Sequence, residues 1–214
     1  MRMMKRGSVA ALVAVVLVGA PSEAAHHEGG AEAAMDGFTA DLIGNIQSTE
    51  KKLVALAEAM PADMFGWAPA VGVRTFSQTL IHVAGTNFFL PSALGAAPVE
   101  GMDMSQGPFA AMKKMEAEIT AKDDVIAKLE KSFAYVYEAL PTIEALDEKI
   151  ELFGPPASRR SYLLILQGHA HEHLGQSIAY ARSVGVVPPW SQPLPDEAEA
   201  EAATGDEDQG DEGY

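Results

Sequence analysis

The first repeating pattern of hydrophobic and polar positions runs through residues 38–60. Its apolar side chains recur every three or four residues, at Phe38, Leu42, Ile43, Ile46, Leu53, Leu56 and Ala57. This spacing places them on one side of an α-helix that packs against a core. Pro61 follows directly. Because proline lacks a backbone N–H and clashes with the preceding turn, it predicts that this helix ends at residue 60.

A second helical pattern begins at Thr75. Thr75 and Gln78 stand three residues apart, the spacing of a capping box in which each side chain bonds the other residue's backbone N–H. Apolar side chains follow at helical spacing, and Pro91 predicts that the helix ends near that position.

Two more long helices are predicted further along the chain, at about residues 121–140 and 158–184, with Gly185 as the C-terminal cap of the last one. Residues 92–120 form a long connection rich in Gly, Pro and Met, with a short helix predicted at about 109–119. No segment shows the long alternation that is typical of strands. The pattern therefore predicts an all-α protein, a four-helix bundle with one long connection between helices two and three.

Both ends of the chain differ in composition from the predicted bundle. Residues 1–24 open with three basic side chains and an uncharged apolar run from Gly7 to Ala20, which predicts a signal peptide cleaved after Ala24. The run is shorter than the roughly 18–20 residues needed to cross a bilayer, so we favour cleavage over a retained membrane anchor. Residues 192–214 contain nine acidic side chains and no basic one, which predicts an acidic disordered tail.

The net charge of −15 is therefore unevenly distributed. Residues 25–195 hold 12 basic and 20 acidic side chains, a balance that argues against nucleic-acid binding. The absence of cysteine excludes disulfides, thiolate metal ligands and lipoprotein anchoring. We expect a secreted or periplasmic protein without a stable membrane anchor, made of a flexible mature N-terminus at 25–37, a bundle at 38–191 and the acidic tail.

Histidines form the clearest chemical pattern in the chain. His169 and His173 stand four residues apart in the predicted fourth helix, so at about 100° per residue they occupy one face, a turn apart. Gln176 shares that face, which Leu and Tyr side chains flank, whereas His171 points in another direction. Two buried imidazoles without partners are unfavourable, and a divalent metal held between them removes that penalty.

His82 is the candidate third ligand. It lies among apolar side chains in the predicted second helix, about two turns from the helix start. If the second and fourth helices are neighbours, His82 meets His169 and His173 inside the bundle. Three protein ligands leave a coordination position for water or substrate, as in catalytic metal sites. The alternative, hydrogen-bonded core histidines that bind no metal, stays open at this point.

Two segments resemble the DinB-like superfamily. They are residues 169–176, HAHEHLGQ, with the sequence that continues to Ser191, and residues 74–82, RTFSQTLIH. The resemblance spans about residues 38–191. It implies a four-helix bundle in an up-down-down-up arrangement and a divalent metal, zinc or nickel, held by three histidines. Carried onto this sequence, those metal ligands are His82, His169 and His173.

The resemblance also bears on function. Characterised members are thiol S-transferases and a maleylpyruvate isomerase that use low-molecular-weight thiols, which are scarce outside the cytoplasm. For an exported chain we therefore expect a metal-dependent hydrolase or transferase acting on an unknown small-molecule substrate. The alternative is a non-catalytic exported metal-binding or structural helical bundle. Glu172, beside the candidate ligands, is interpreted as a surface acid, so no catalytic residue is assigned, and assembly into a homodimer stays open.

Overall fold

A computed structural model describes residues 36–99, 102 and 104–192 of the chain. Five α-helices account for most of this part: α1 (Gly37–Ala59), α2 (Phe76–Ala93), α3 (Pro108–Glu118), α4 (Lys122–Ala139) and α5 (Arg159–Ser183). The predicted all-α class is confirmed, and α3 is the short helix expected within the long connection. The predicted signal peptide and almost all of the predicted flexible N-terminus and acidic tail lie outside the described residues.

Two features depart from the predicted element boundaries. A two-residue antiparallel ribbon, β1 (Lys149–Ile150) with β2 (Ala157–Ser158), precedes α5 and is too short to leave an alternating pattern. Helix α2 continues two residues beyond Pro91. Pro91 removes one donor from the last turn, but the Leu94 N–H still closes that turn on the Leu90 carbonyl at 3.1 Å.

Contacts between helices establish that α5 runs parallel to α1. Near the two N-termini, the Arg160 guanidinium lies 4.5 Å from the centre of the Phe38 ring. At the middle of both helices, Thr49 Oγ1 lies 3.0 Å from His171 Nε2. Positions advance together along both helices, so their directions agree.

Helix α2 runs antiparallel to α5. At the start of α2, the Arg74 carbonyl accepts a hydrogen bond from the hydroxyl of Tyr180, near the end of α5. Further along α2, Thr86 Oγ1 lies 3.4 Å from Nε2 of His169, earlier in α5. The second and fourth bundle helices are therefore neighbours, which is the condition that the sequence left open.

Helix α4 completes the arrangement. Its first residue, Lys122, donates to the carbonyl of Met60 at the end of α1, so α1 and α4 are antiparallel. Asn87 donates to Ser132, and Tyr135 donates to the carbonyl of Ala97 just beyond α2, so α2 and α4 are parallel. Since α1 and α2 each pack against α4 and α5, the bundle is up-down-down-up, as the resemblance implied.

The helix ends show why these segments fold locally. Asp36 caps α1 by accepting from the Phe38 and Thr39 backbone N–H groups. Thr75 and Gln78 form the predicted capping box at the start of α2. Beyond α5, Gly185 adopts φ +80°, a conformation that only glycine adopts without strain.

The core lies between the four long helices. It contains side chains such as Phe65 and Phe76, whose rings meet edge to face at 5.3 Å, and Phe133 of α4. Two chemically active side chains, those of His173 and Glu116, are also buried. In the described part of the chain, every helix is too short or too polar to cross a membrane.

Candidate metal centre

Three histidines meet between α2 and α5. The ring centre of His82 lies 5.0 Å from that of His169 and 5.0 Å from that of His173. The rings of His169 and His173 are 4.4 Å apart. Each residue offers one nitrogen, and all three nitrogens lie within 4.8 Å of one another. The structure thus brings together the three residues that the sequence singled out.

Local helix geometry and bundle topology each contribute part of this arrangement. His169 and His173 share one face of α5 because residues four apart lie one turn apart on the same side. His82 reaches them because α2 packs beside α5 in the opposite direction. Thr86, four residues after His82, lies against His169 in the same region of contact.

The nitrogen separation fits a divalent metal. Nε2 of His169 and Nε2 of His173 are 3.2 Å apart. A tetrahedral ion bound at about 2.0–2.1 Å holds two ligand nitrogens about 3.3 Å apart, and an octahedral ion holds them about 3.0 Å apart. Imidazole nitrogens are ligands that zinc, nickel and copper all accept. The imidazole donor set and the spacing of His169 and His173 therefore suit such an ion without selecting one.

Polar side chains contact the far nitrogen of two of the three rings. Nδ1 of His82 lies 2.9 Å from Oε1 of Glu116, and Nδ1 of His173 lies 2.7 Å from Oε1 of Gln176. An oxygen that accepts from Nδ1–H leaves the Nε2 lone pair available to a metal. His169 differs, because its buried Nδ1 has no hydrogen-bond partner among the described residues.

Burial and neighbouring charges keep the rings of His82 and His169 in the neutral form, which is the form that binds a metal. Burial lowers the pKa of His169 to about 3, with further lowering by His173, His82 and Arg74. Burial also lowers the pKa of His82, assisted by Arg74 and His173 and opposed by Glu116. Both imidazoles are therefore neutral at pH 7, and only a neutral imidazole has a lone pair for a metal.

An outer chain of hydrogen bonds surrounds the histidines. Arg74 Nε donates to Glu116 Oε1 at 3.1 Å. On the other side, Gln176 Nε2 donates to the Tyr180 hydroxyl at 2.7 Å, and that hydroxyl donates to the Arg74 carbonyl at 3.2 Å. Arg74 therefore links the partner of His82 with the partner of His173.

The neighbouring polar residues of α5 lie elsewhere. His171 is exposed, with Nδ1 3.1 Å from the Gln167 carbonyl and Nε2 directed at Thr49 of α1. Glu172 is exposed as well, in agreement with its interpretation as a surface acid. Gln176, which shares the face of His169 and His173, contacts an imidazole directly.

Sequence reasoning missed Glu116 and Arg74. Glu116 is one of two acids in a short helix, and nothing in its spacing relates it to His82, 34 positions earlier. Arg74 precedes the capping box, so a reader of the sequence sees only a loop residue. A buried acid can be found from sequence only when the docking position of its helix is known.

The three rings differ in their exposure to solvent. The His82 side chain is 17% exposed, whereas His173 is 7% exposed. Three surface cavities of about 390, 240 and 450 Å³ lie among other residues, and none of them is lined by these histidines. His82 and His169 are both partly exposed, whereas His173 is buried.

Comparison with known proteins agrees with this fold. The family model described as the DinB superfamily matches residues 45–177, a span that includes all three histidines. The fold is similar to that of a DinB-like protein from Bacillus cereus, with a TM-score of 0.52 and 17% identity over 68% of this chain and 94% of that chain. A DinB-like protein from Bacillus subtilis gives a TM-score of 0.49 and 20% identity over 72% and 96% of the two chains. No match was found among curated proteins. Because the family model covers more than half of the sequence, this chain belongs to the DinB superfamily.

Proposed function

We propose that this protein binds one divalent metal ion, zinc or nickel, through His82, His169 and His173, and that it acts as an exported metal-dependent hydrolase or transferase. The observation that supports this function best is the convergence of three imidazole nitrogens within 4.8 Å. The neutral rings of His82 and His169 and the 3.2 Å contact between Nε2 of His169 and Nε2 of His173 are both compatible with metal binding.

The side chains of the chain would divide the work at such a centre. The three histidines would hold the ion, and Glu116 and Gln176 contact two of their rings. Such an ion would supply a lowered pKa for a bound water, or polarisation of a substrate oxygen or thiol. Thr86, whose hydroxyl lies 3.4 Å from Nε2 of His169, is a polar group available to orient a ligand there. We assign no general base.

A non-catalytic metal-binding bundle is the second candidate. The burial of His173, which is 7% exposed, is the observation that favours it, because a closed metal site is typical of a binder. Screening the metal-loaded protein against ester, amide and thiol substrates separates the two candidates. Turnover that disappears in His82→Ala supports an enzyme, and tight metal binding without turnover supports a binder.

Export is part of the proposal and rests on the basic start and apolar run of residues 1–24. In a secreted or periplasmic location, hydrolysis is favoured over thiol transfer because free thiol cosubstrates are scarce there. The intact mass of the secreted protein tests whether residues 1–24 have been removed on export.

Metal content tests the binding function directly. We expect mature wild-type protein, reconstituted with zinc or nickel and dialysed, to retain about one equivalent of metal per chain. His82→Ala, His169→Ala and His173→Ala should each fall to about a tenth of that value, because two imidazoles alone hold an ion weakly. Inductively coupled plasma mass spectrometry measures the content.

His171→Ala is the matched control, since it removes an exposed imidazole from the same helix. It should retain the wild-type metal content. Metal-free wild-type protein after reconstitution, or an equal loss in His171→Ala, would contradict the assigned site.

A further inference from the structure

Glu116 is a buried carboxylate, only 8% exposed, on a short helix outside the four long ones. We propose that α3 is a positioning element of the metal centre, in which Glu116 holds the His82 ring so that its Nε2 lone pair is available to the ion. This role rests on the proposed metal-binding function. It adds a residue that neither the helical pattern nor the histidine spacing indicates.

The contact itself specifies which nitrogen of His82 is free. Oε1 of Glu116 lies 2.9 Å from Nδ1, a distance at which the carboxylate accepts a hydrogen bond from Nδ1–H. Nε2 has no hydrogen-bond partner among the described residues. A carboxylate behind an imidazole fixes its tautomer and makes the opposite nitrogen a stronger ligand.

A second contact holds the carboxylate in place. Arg74 Nε donates to the same oxygen at 3.1 Å, so Oε1 of Glu116 accepts from two residues at once. The backbone of Arg74 is fixed in turn by the Tyr180 hydroxyl, which also accepts from Gln176. One arginine therefore couples the orientation of His82 to that of His173.

The docking of α3 explains how Glu116 reaches this position. A β-carbon at Gly85 would lie 2.6 Å from Cγ of Met112, so only glycine lets α3 approach α2 this closely. Gly85 stands three residues after His82, and Met112 stands four residues before Glu116. The close approach at one turn of each helix thus sets the carboxylate against the imidazole at the next.

A purely structural role is the competing explanation, in which Glu116 serves only to tie α3 to Arg74. The two explanations differ in what they predict for His82. A structural tie affects the thermal midpoint of unfolding and leaves the His82 tautomer alone. A positioning role changes the tautomer and the metal affinity together.

The tautomer of His82 in metal-free protein at pH 7 tests the proposal by ¹⁵N NMR, with the signals assigned through His82→Gln. We expect wild-type protein to hold the Nδ1–H form, and Glu116→Ala to show a mixture of both neutral forms. Glu116→Gln should restore the Nδ1–H form in part, since its amide oxygen still accepts. Glu118→Gln, an exposed acid on the same helix, is the control and should match wild type.

Metal affinity, measured by competition with a chelator, is the second readout. We expect Glu116→Ala to weaken zinc or nickel binding by about 10- to 100-fold, with Glu116→Gln in between. An unchanged tautomer, or an affinity within about twofold of wild type, would overturn the positioning role. If Glu116→Ala fails to fold, the His82 tautomer and the metal affinity of Glu116→Gln decide whether Glu116 positions His82.

Failure of the proposed function has a separate signature. Wild-type protein that binds no metal would refute the metal centre. The tautomer comparison needs no metal, so it still reports whether Glu116 fixes the His82 ring.

Discussion

At the scale of single residues, the three histidines differ in what lies behind each ring. His82 has a carboxylate at Nδ1, His173 has a neutral amide oxygen, and the Nδ1 atom of His169 has no partner among the described residues. A charged acceptor strengthens an imidazole ligand more than a neutral one does. His82 is therefore expected to be the strongest of the three ligands, and His169 the one most dependent on the ion for its orientation.

Burial of His169 predicts how stability changes with pH in metal-free protein. The folded pKa of about 3 lies below the value of about 6.5 for an unfolded histidine, so the unfolded chain binds a proton more readily. The contribution of neutral His169 to the free energy of unfolding is fully present above pH 6.5 and is lost as the pH falls toward 3. Between pH 7 and pH 5 the free energy of unfolding should drop by about 2 kcal/mol from this residue.

Urea unfolding at both pH values, in wild type and in His169→Gln, measures this contribution. The difference in the free energy of unfolding between pH 7 and pH 5 should be smaller in the variant. An equal drop in both proteins would mean that His169 is not buried in its neutral form.

At the scale of elements, α3 links α2 to α4 and also carries Glu116, which contacts His82. The long link between α2 and α4 could have been an irregular loop, yet it contains a helix that packs closely on α2 at Gly85. Because Glu116 reaches His82 from this helix, any change that moves α3 should also disturb the metal centre.

Gly85→Ala tests the close packing of α3 on α2. The added methyl group overlaps Met112, so we expect a loss of about 1–3 kcal/mol in the free energy of unfolding. The double variant with Met112→Ala should lose less than the sum of the two single losses, because the two positions share one space. Thermal or chemical unfolding of the single and double variants measures the coupling.

Gly44 provides the opposite control within α1. A β-carbon there meets nothing within 4 Å, so Gly44→Ala should raise the free energy of unfolding by about 0.5–1 kcal/mol. Stabilisation by both alanines would show that helix propensity, and not contact with Met112, controls Gly85.

At the scale of the whole molecule, topology decides which helices can share a site. In the up-down-down-up bundle, α2 and α5 are adjacent and antiparallel, so a histidine two turns into α2 faces the middle of α5. A metal held between them, as proposed, would tie two helices that are far apart in sequence. Nine acidic side chains lie between Asp196 and Glu212, beyond the described bundle.

Export is the prediction that concerns the chain as a whole. When the full chain is expressed in a bacterial host with a general secretory pathway, we expect a mature protein that begins at Ala25. Intact mass and N-terminal sequencing identify the start. Replacing Lys5 and Arg6 by Glu should retain the precursor in the cytoplasm, and a secreted protein that still contains residues 1–24 would refute cleavage after Ala24.

Local features of this fold follow from sequence because they depend on neighbours a few positions away. The capping box of Thr75 and Gln78 needs only a three-residue spacing, and the shared face of His169 and His173 needs only the pitch of a helix. The apolar neighbours of His82 already made it the candidate third ligand, and the family resemblance, confirmed over residues 45–177, added the topology and supported that choice.

The tertiary structure decided the features that depend on contacts between distant segments. Glu116 joins the site only because α3 docks at Gly85, and Arg74 joins it only because Tyr180 and Glu116 converge on it from two other helices. Periodicity encodes which face of a helix is apolar, but it does not encode the height at which one helix crosses another. The histidines that bind the proposed metal could therefore be identified from the chain, whereas the residues that orient them could not.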